Sequence, residues 1–140
     1  MKYIIDSSVA FKWVVPEIDS DKADDLRTEY LLGLHEFHAP DIFPIELAHA
    51  LTRAERQLRI VVGQARSHLV DVFTTAPKIQ TYRPFLDRAV EISSQMRVGV
   101  YDCVYVALAE HEGCELVTGD DKLVANLSEH FPFIRSLSTI

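Results

Sequence analysis

Short apolar segments alternate with longer segments of helical periodicity along this chain of 140 residues. The apolar segments have the length and composition of β-strands, and they span residues 2–5, 37–39, 78–82, 115–118 and 133–137. Strands separated by helices are joined by crossover connections, which produce a parallel sheet. The alternation therefore predicts an α/β fold, a three-layer sandwich in which helices flank a mainly parallel central sheet of four to five strands.

The segments between the strands carry apolar residues at helical spacing. Two such stripes consist of Ala23, Leu26, Tyr30 and Leu34, and of Leu47, Leu51, Ala54 and Leu58. Three further helices are predicted within residues 63–75, 83–97 and 100–113, the last ending at Gly113. No repeat, low-complexity tract or linker interrupts this pattern, so residues 1–140 are expected to form a single domain.

The composition excludes several classes of protein. The chain has 14 basic and 21 acidic residues, a net charge of −7, whereas a globally basic nucleic-acid binder has the opposite sign. The glycines form no phosphate-binding loop, and Cys103 and Cys114 lack the spacing of a zinc or redox motif. No segment has the pattern of a membrane span or signal peptide, so we expect a cytoplasmic protein without a membrane partner.

Two acidic residues stand at or just after the ends of predicted strands. Asp6 follows "KYII" directly, and Asp120 stands two residues after "ELVT". If these strands are parallel, both acids lie at the carboxyl edge of the sheet, where open α/β sheets bind their ligands. Because a carboxylate is costly to bury without a partner, the two acids are candidates for one site.

Two more acids lie inside predicted helices beside apolar residues. On a helical wheel of about 100° per residue, the apolar stripe of the second helix is centred about 110° from Glu46, so Glu46 flanks the buried face. Asp102 lies within about 60° of Val106 and Tyr105, on the apolar face of the last helix, with His111 on the opposite side. A carboxylate on a core-facing stripe needs a partner or a function.

Each acid taken singly also has a structural explanation. Asp6 and Asp120 suit helix caps. Asp102 suits the positive end of a helix, and Glu46 suits a salt bridge. Four carboxylates at one sheet edge, however, repel one another unless a cation lies among them. Mg²⁺ and Mn²⁺ prefer carboxylate oxygens, activate water and neutralise the charge of a phosphoryl group, so the pattern indicates metal-dependent hydrolysis of phosphodiester bonds.

Three segments carry a family resemblance, namely "IIDSSVAFKW", "APDIFPIELAHAL" and "VYDCVYVALAEHEGCELVTGDDKL". Together they resemble a PIN-domain nuclease, in particular the VapC-type toxin of toxin–antitoxin pairs. The resemblance implies an endoribonuclease that uses Mg²⁺ or Mn²⁺, forms a homodimer and is inhibited by a cognate antitoxin protein. It implies catalytic, metal-binding acids and two hydroxyl groups near the metal: Asp6, Glu46, Asp102 and Asp120, with Ser8 and Thr118. Asp121 is an alternative or additional ligand beside Asp120.

Basic side chains near these acids are candidates to contact the phosphates of RNA. Arg53 lies within about 20° of Glu46 on the wheel and roughly 10 Å along the same helix face. The weaker candidates are Lys12, Arg56, Arg59 and Lys122. Aromatic side chains can stack on bases, but Phe11 and Trp13 are expected in the core.

Two other functions stay open at this point. One is a phosphohydrolase of small molecules, although its dehalogenase-type version requires a second Asp where Ser8 stands. The other is a protein-interaction module on the same scaffold without catalysis, which the presence of all four acids disfavours. Residues 60–97 carry no diagnostic motif, and they are candidates to shape substrate choice or the dimer.

Overall fold

The computed structural model describes residues 1–140, and its strands lie close to the predicted positions. The strands are β1 (Lys2–Ile5), β2 (Glu36–Pro40), β3 (Lys78–Gln80), β4 (Glu115–Thr118) and β5 (Ile134–Ser136). They form one five-stranded sheet in the order β3-β2-β1-β4-β5, with every neighbouring pair parallel. The predicted α/β fold with a parallel central sheet is confirmed.

The two edge strands are shorter than predicted. β3 ends at Gln80 instead of residue 82, and β5 spans only three residues. After β3 the chain turns away, where the backbone N–H of Tyr82 donates to Asp41 Oδ1 at 2.9 Å, and a short 3₁₀ helix follows at residues 83–85. An edge strand pairs on one side only, so little holds its ends in the ladder.

Seven α-helices connect and cover the strands. They are α1 (Ser7–Val14), α2 (Ser20–Leu31), α3 (Phe43–Arg56), α4 (Gln64–Phe73), α5 (Leu86–Met96), α6 (Val100–Glu112) and α7 (Asp121–Leu127). Helix α6 packs on β1, β2 and β4 and against α5, whereas α1 packs against α2, α3 and α4. None of the helices combines the length and the apolar character that crossing a bilayer requires.

The ends of two predicted helical stripes are wrong. Leu34 and Leu58 lie beyond α2 and α3, and they are 56% and 89% exposed. The chain reverses at both places, through Gly33 with φ of 78° and through Leu58 itself with φ of 60°. Leu34 and Leu58 thus have the helical spacing of the apolar stripes by sequence only, because each helix ends in a turn before them.

The middle of helix α6 is buried on all sides instead of on one face. Every residue from Cys103 to Ala109 is buried, because the sheet covers one side of the helix and α5 packs on another. The single apolar face predicted for this helix is therefore too narrow. Cys103 is a buried free thiol and Cys114 a half-buried one.

The core surrounds β1 and β4 and includes Phe11 and Trp13, as predicted. Chain order runs from β1 outward to β3 on one side and from β4 to β5 on the other. The order therefore reverses between β1 and β4, and their carboxyl ends border the crevice where such sheets bind ligands. Asp6 stands at the end of β1 on this crevice, and its backbone N–H donates to Val117 of β4 at 3.1 Å.

Candidate active site

The structure brings the four predicted acids together from four different elements. Asp6 follows β1 and Asp120 follows β4, while Glu46 and Asp102 lie in the first turns of α3 and α6. Their charges interact, because Asp120 raises the pKa of Asp6, and Asp6 raises the pKa of both Glu46 and Asp102. None of the four forms a salt bridge with a basic side chain.

Two hydroxyl groups fix the carboxylate of Asp6, which is only 7% exposed. The hydroxyls of Ser8 and Thr118 both donate to Asp6 Oδ2, at 2.9 and 2.8 Å. Each hydroxyl also accepts a backbone N–H, from Gly119 at 2.9 Å and from Asp120 at 3.0 Å. Since each hydroxyl has one proton, these contacts set its direction and join Asp6 to the loop that carries Asp120.

Burial governs the ionisation of Asp6. Desolvation raises its pKa, the hydroxyl hydrogen bonds oppose this rise, and the charge of Asp120 adds to it. The carboxylate is thus well oriented by Ser8 and Thr118 but lacks a positive partner. A cation at this position would stabilise its ionised form.

Glu46 is held by a tyrosine from the neighbouring helix α6. The hydroxyl of Tyr105, a fully buried side chain, donates to Glu46 Oε1 at 2.7 Å. Burial raises the pKa of Glu46 to about 7, with contributions from the charges of Asp6 and Asp102, while the Tyr105 hydrogen bond lowers it. A carboxyl group that titrates near neutrality can accept or donate a proton under physiological conditions.

Asp102 has no hydrogen-bonding partner that would offset its burial. Its pKa is raised to about 6, mainly by desolvation and in addition by the charges of Asp6 and Asp120. Its place in the first turn of α6 agrees with the structural explanation at a helix N-terminus. An acid that only stabilised the helix N-terminus would not need to lie near Asp6 and Asp120, whose charges repel it.

Asp120 also caps the helix that follows it. Its Oδ1 accepts the backbone N–H groups of Lys122 at 2.9 Å and Leu123 at 3.4 Å, as an N-cap does. The second oxygen of Asp120 takes no part in the cap. Asp121 is exposed at the first position of α7, and only Asp120 of the two contributes to the raised pKa of Asp6 and Asp102.

Three of the five predicted basic contacts are exposed and free of salt bridges, namely Arg53, Arg56 and Lys122. Arg59 instead pairs with Glu17 at 2.9 Å and lies over the ring of Phe11. Arg53 and Arg56 lie in the last turn of α3, the helix that carries Glu46 near its beginning. These two guanidinium groups are therefore candidates to contact the phosphates of a strand that runs along α3 from the acids.

Lys12 is not favoured as an RNA contact by its surroundings. It is only 7% exposed, and its ammonium group donates to Glu17 at 3.0 Å and to the carbonyl of Ile18 at 2.8 Å. Its side chain packs on Gly119, where an added Cβ would lie 2.6 Å from Lys12 Cε. Lys12 therefore supports the loop before Asp120 and leaves no room there for a larger residue.

Tyr105 and Gly119 are the site residues that the sequence analysis missed. Tyr105 stands three residues after Asp102 and was assigned only to the apolar face, although that spacing places its hydroxyl on the side of the acids. Its contact with Glu46 depends on how α3 meets α6, which the sequence does not record. The triplet Thr118-Gly119-Asp120 directly after a strand was the available signal for Gly119.

The donor atoms of this site fit a hard divalent cation. No three His, Cys, Asp or Glu side chains stand close enough together to enclose an ion by themselves. Mg²⁺ characteristically uses one or two carboxylates and keeps several water molecules, so it does not need such a cage. The carboxylates of the four acids and the hydroxyls of Ser8 and Thr118 offer only oxygen ligands, which favours Mg²⁺ or Mn²⁺ over zinc.

Comparison with known proteins assigns the fold to a family. The PIN-domain family model matches residues 3–126. Ribonuclease VapC3 of Pyrobaculum aerophilum is 31% identical over 134 residues, which cover 94% of this chain and 96% of that protein.

Two solved structures, both less than 25% identical in sequence, share the fold. PAE2754 from Pyrobaculum aerophilum has a TM-score of 0.71 at 23% identity, over 99% of this chain and 94% of that chain. VapBC2 from Rickettsia felis, bound to a DNA fragment from its promoter, has a TM-score of 0.65 at 16% identity, over 97% of this chain and 98% of that chain. With the family model and a relative similar over nearly its whole length, the chain belongs to the PIN-domain family, in its VapC group.

Proposed function

We propose that this protein is the ribonuclease toxin of a toxin–antitoxin pair, and that it hydrolyses RNA phosphodiester bonds with Mg²⁺ or Mn²⁺. The observation that supports the proposal is that the charges of Asp6, Glu46, Asp102 and Asp120, which come from four elements, influence one another, while none of the four has a basic partner. Its relative of 31% identity bears the name of a ribonuclease, which supports RNA as the substrate.

The proposed metal ligands are Asp6, Asp102 and Asp120, which would bind the ion directly or through the water molecules that Mg²⁺ keeps. Both oxygens of Asp102 are free of hydrogen bonds. Ser8 and Thr118 orient Asp6 by donating short hydrogen bonds to its Oδ2. When bound, the ion supplies a Lewis acid that activates water and neutralises charge on the phosphoryl group. The two hydroxyls prevent Asp6 from rotating, so its position is set before substrate binds.

Glu46 is the proposed acceptor of the proton that the attacking water loses. Tyr105 holds Oε1, which leaves Oε2 free to take the proton. A pKa of about 7 suits this role, because a base works best when its pKa lies near the working pH. Arg53, Arg56 and Lys122 are the proposed contacts for the phosphates of the bound strand, and Coulomb attraction of this kind weakens with salt.

The proposed partners are a cognate antitoxin and a second copy of the chain, with residues 1–140 acting as one nuclease domain. One structural neighbour, VapBC2, was crystallised with promoter DNA, and this supports a protein partner that binds DNA. An antitoxin that covered the acids would stop cleavage.

The proposal is tested by incubating the purified protein with labelled single-stranded RNA, and with DNA of the same sequence, in Mg²⁺, in Mn²⁺ and in a chelator. We expect cleavage of RNA with either metal and none with the chelator. The product of the adjacent reading frame, added in equimolar amount, should stop the reaction. Absence of cleavage with both metals would contradict the proposal and would favour a PIN scaffold without catalysis.

A further inference from the structure

A cavity of about 790 Å³ opens directly beside the acids. Ser7 and Glu46 line it, and the hydroxyl of Ser7 donates to Asp6 Oδ1 at 3.4 Å, so the cavity adjoins the acids. The rest of the lining comes from α3 and from the start of α6. We call this space the side cavity.

Two exposed hydrophobic side chains form the walls of the side cavity. Tyr101 is 62% exposed and Ile45 is 67% exposed. Each immediately precedes a proposed site acid, Asp102 or Glu46, and consecutive helical residues point about 100° apart. The ring of Tyr101 pairs with no other aromatic ring, so its face is available to a ligand.

The polar groups of the side cavity suit a neutral ligand. His49 is exposed and its imidazole has no hydrogen-bonding partner. The Thr52 hydroxyl donates to the carbonyl of His49 at 3.1 Å, which leaves its oxygen free to accept. Glu46 is the one acidic group in the lining, and no Lys or Arg lines it. A phosphate would therefore be repelled here, whereas a flat, uncharged ring with donors and acceptors would not.

We propose that the side cavity binds the nucleobase next to the scissile phosphate, with the base stacked on Tyr101 and its edge contacted by His49 and Thr52. The inference rests on the proposed ribonuclease function and adds the residues that hold one base of the substrate. That base would enter the cavity unpaired and turned out of the stack.

The first test compares kcat/KM for wild type, Tyr101→Phe and Tyr101→Ala on single-stranded RNA. Stacking on an aromatic ring contributes about 1–3 kcal/mol per base, so Tyr101→Ala should lower kcat/KM roughly 5- to 160-fold. Tyr101→Phe keeps the ring and should retain most of the activity. The control Phe73→Ala removes a partly exposed aromatic from α4, outside the cavity, and should cleave like wild type.

The second test removes the base instead of the tyrosine. After the cleavage site has been mapped, the nucleotide on either side is replaced in turn by an abasic one. Wild type should cleave one of the two abasic substrates more slowly than intact RNA, by the same factor that Tyr101→Ala loses on intact RNA. Tyr101→Ala should cleave that abasic substrate no more slowly than wild type does. His49→Ala should reduce the preference among the four bases at this position without changing cleavage of the abasic substrate.

Several results would overturn the inference. If wild type cleaves RNA and Tyr101→Ala cleaves it equally well, the cavity does not bind a base. If both abasic substrates are cleaved normally, no base is recognised next to the phosphate. If Tyr101→Ala loses only its inhibition by the antitoxin, the cavity binds protein. If wild type cleaves no RNA with Mg²⁺ or Mn²⁺, the proposed ribonuclease function itself fails, which the other results would not imply.

Discussion

Helix α6 packs on strand β1, and the charged side chains at the two ends of this pair of elements differ. They form a salt bridge at one end and none at the other. At one end Lys2 of β1 and Glu112 of α6 form a salt bridge of 2.8 Å, and Gln80 donates to the other oxygen of Glu112 at 2.9 Å. At the opposite end stand Asp6, directly after β1, and Asp102, in the first turn of α6, but both are acids and neither has a salt bridge. One end is paired and the other is not.

The pKa values of the acids reflect this difference. Hydrogen bonds from Lys2 and Gln80 lower the pKa of Glu112, whereas burial and neighbouring acids raise the pKa of Asp102 to about 6. Surroundings that stabilise the ionised form of an acid favour a structural role for that acid. Surroundings that destabilise the ionised form are typical of an acid that binds a ligand or takes part in catalysis. The unpaired end therefore identifies the candidate site.

The largest expected effect is on catalysis. Asp102→Asn should lower the rate of RNA cleavage at least about 100-fold, because a metal ion contributes several kcal/mol to stabilising the transition state. The metal-free variant should be as stable as wild type or more stable, since one repelling charge is gone. Cleavage rates and thermal melts in a chelator measure both.

The matched control is Asp87→Asn, an exposed acid in the first turn of α5. It should keep wild-type activity, because Asp87 also lies in the first turn of its helix but is not one of the proposed site acids. A marked loss of stability in metal-free Asp102→Asn would instead assign Asp102 a structural role.

The unpaired acids should also make the metal-free protein less stable as the pH rises. Glu46 and Asp102 bind more protons when folded than when unfolded between their ordinary pKa values and the raised values of about 7 and about 6. The free energy of unfolding therefore falls as pH rises through this range. Melts of wild type and Asp102→Asn in a chelator from pH 5 to pH 8 should diverge, with the variant gaining relative to wild type. Parallel curves would mean that Asp102 ionises in the folded protein as it does in the unfolded one.

A smaller effect is expected at Tyr105. Tyr105→Phe removes the hydrogen bond to Glu46, which should lower the free energy of unfolding by about 1 kcal/mol. Because this hydrogen bond lowers the pKa of Glu46, the acidic limb of the pH–rate profile should move to higher pH. Tyr30→Phe, which alters a ring stacked on Phe37, serves as the control and should leave the profile unchanged. An unshifted profile for Tyr105→Phe would exclude Glu46 as the group behind that limb.

The smallest effect is expected at the paired end. Glu112→Gln should lower the free energy of unfolding by at most about 1 kcal/mol, the usual range for a partly exposed salt bridge. RNA cleavage should not change, which can be measured under the same conditions as for Asp102→Asn. Loss of activity in Glu112→Gln would show that the two ends are not functionally distinct.

The sequence was sufficient to predict the sheet and the acids at strand ends, but not the contacts between distant helices. Asp6 and Asp120 were predictable because a parallel sheet places the ends of its strands at one edge. The Tyr105–Glu46 hydrogen bond was not, since it depends on where α3 meets α6. The contacts of Lys12 were not predictable either, because they depend on how the turn after α1 brings Glu17 and Ile18 back to its ammonium group.

The central claim is that the unpaired acids await a divalent cation, and metal-dependent thermal stability tests it most directly. A ligand that binds only the folded protein raises its melting temperature. Titration with Mn²⁺ should raise the melting temperature of wild type and of Glu112→Gln but not that of Asp102→Asn. An equal rise in all three proteins, or no rise in wild type, would contradict a metal site formed by Asp6, Asp102 and their neighbouring acids.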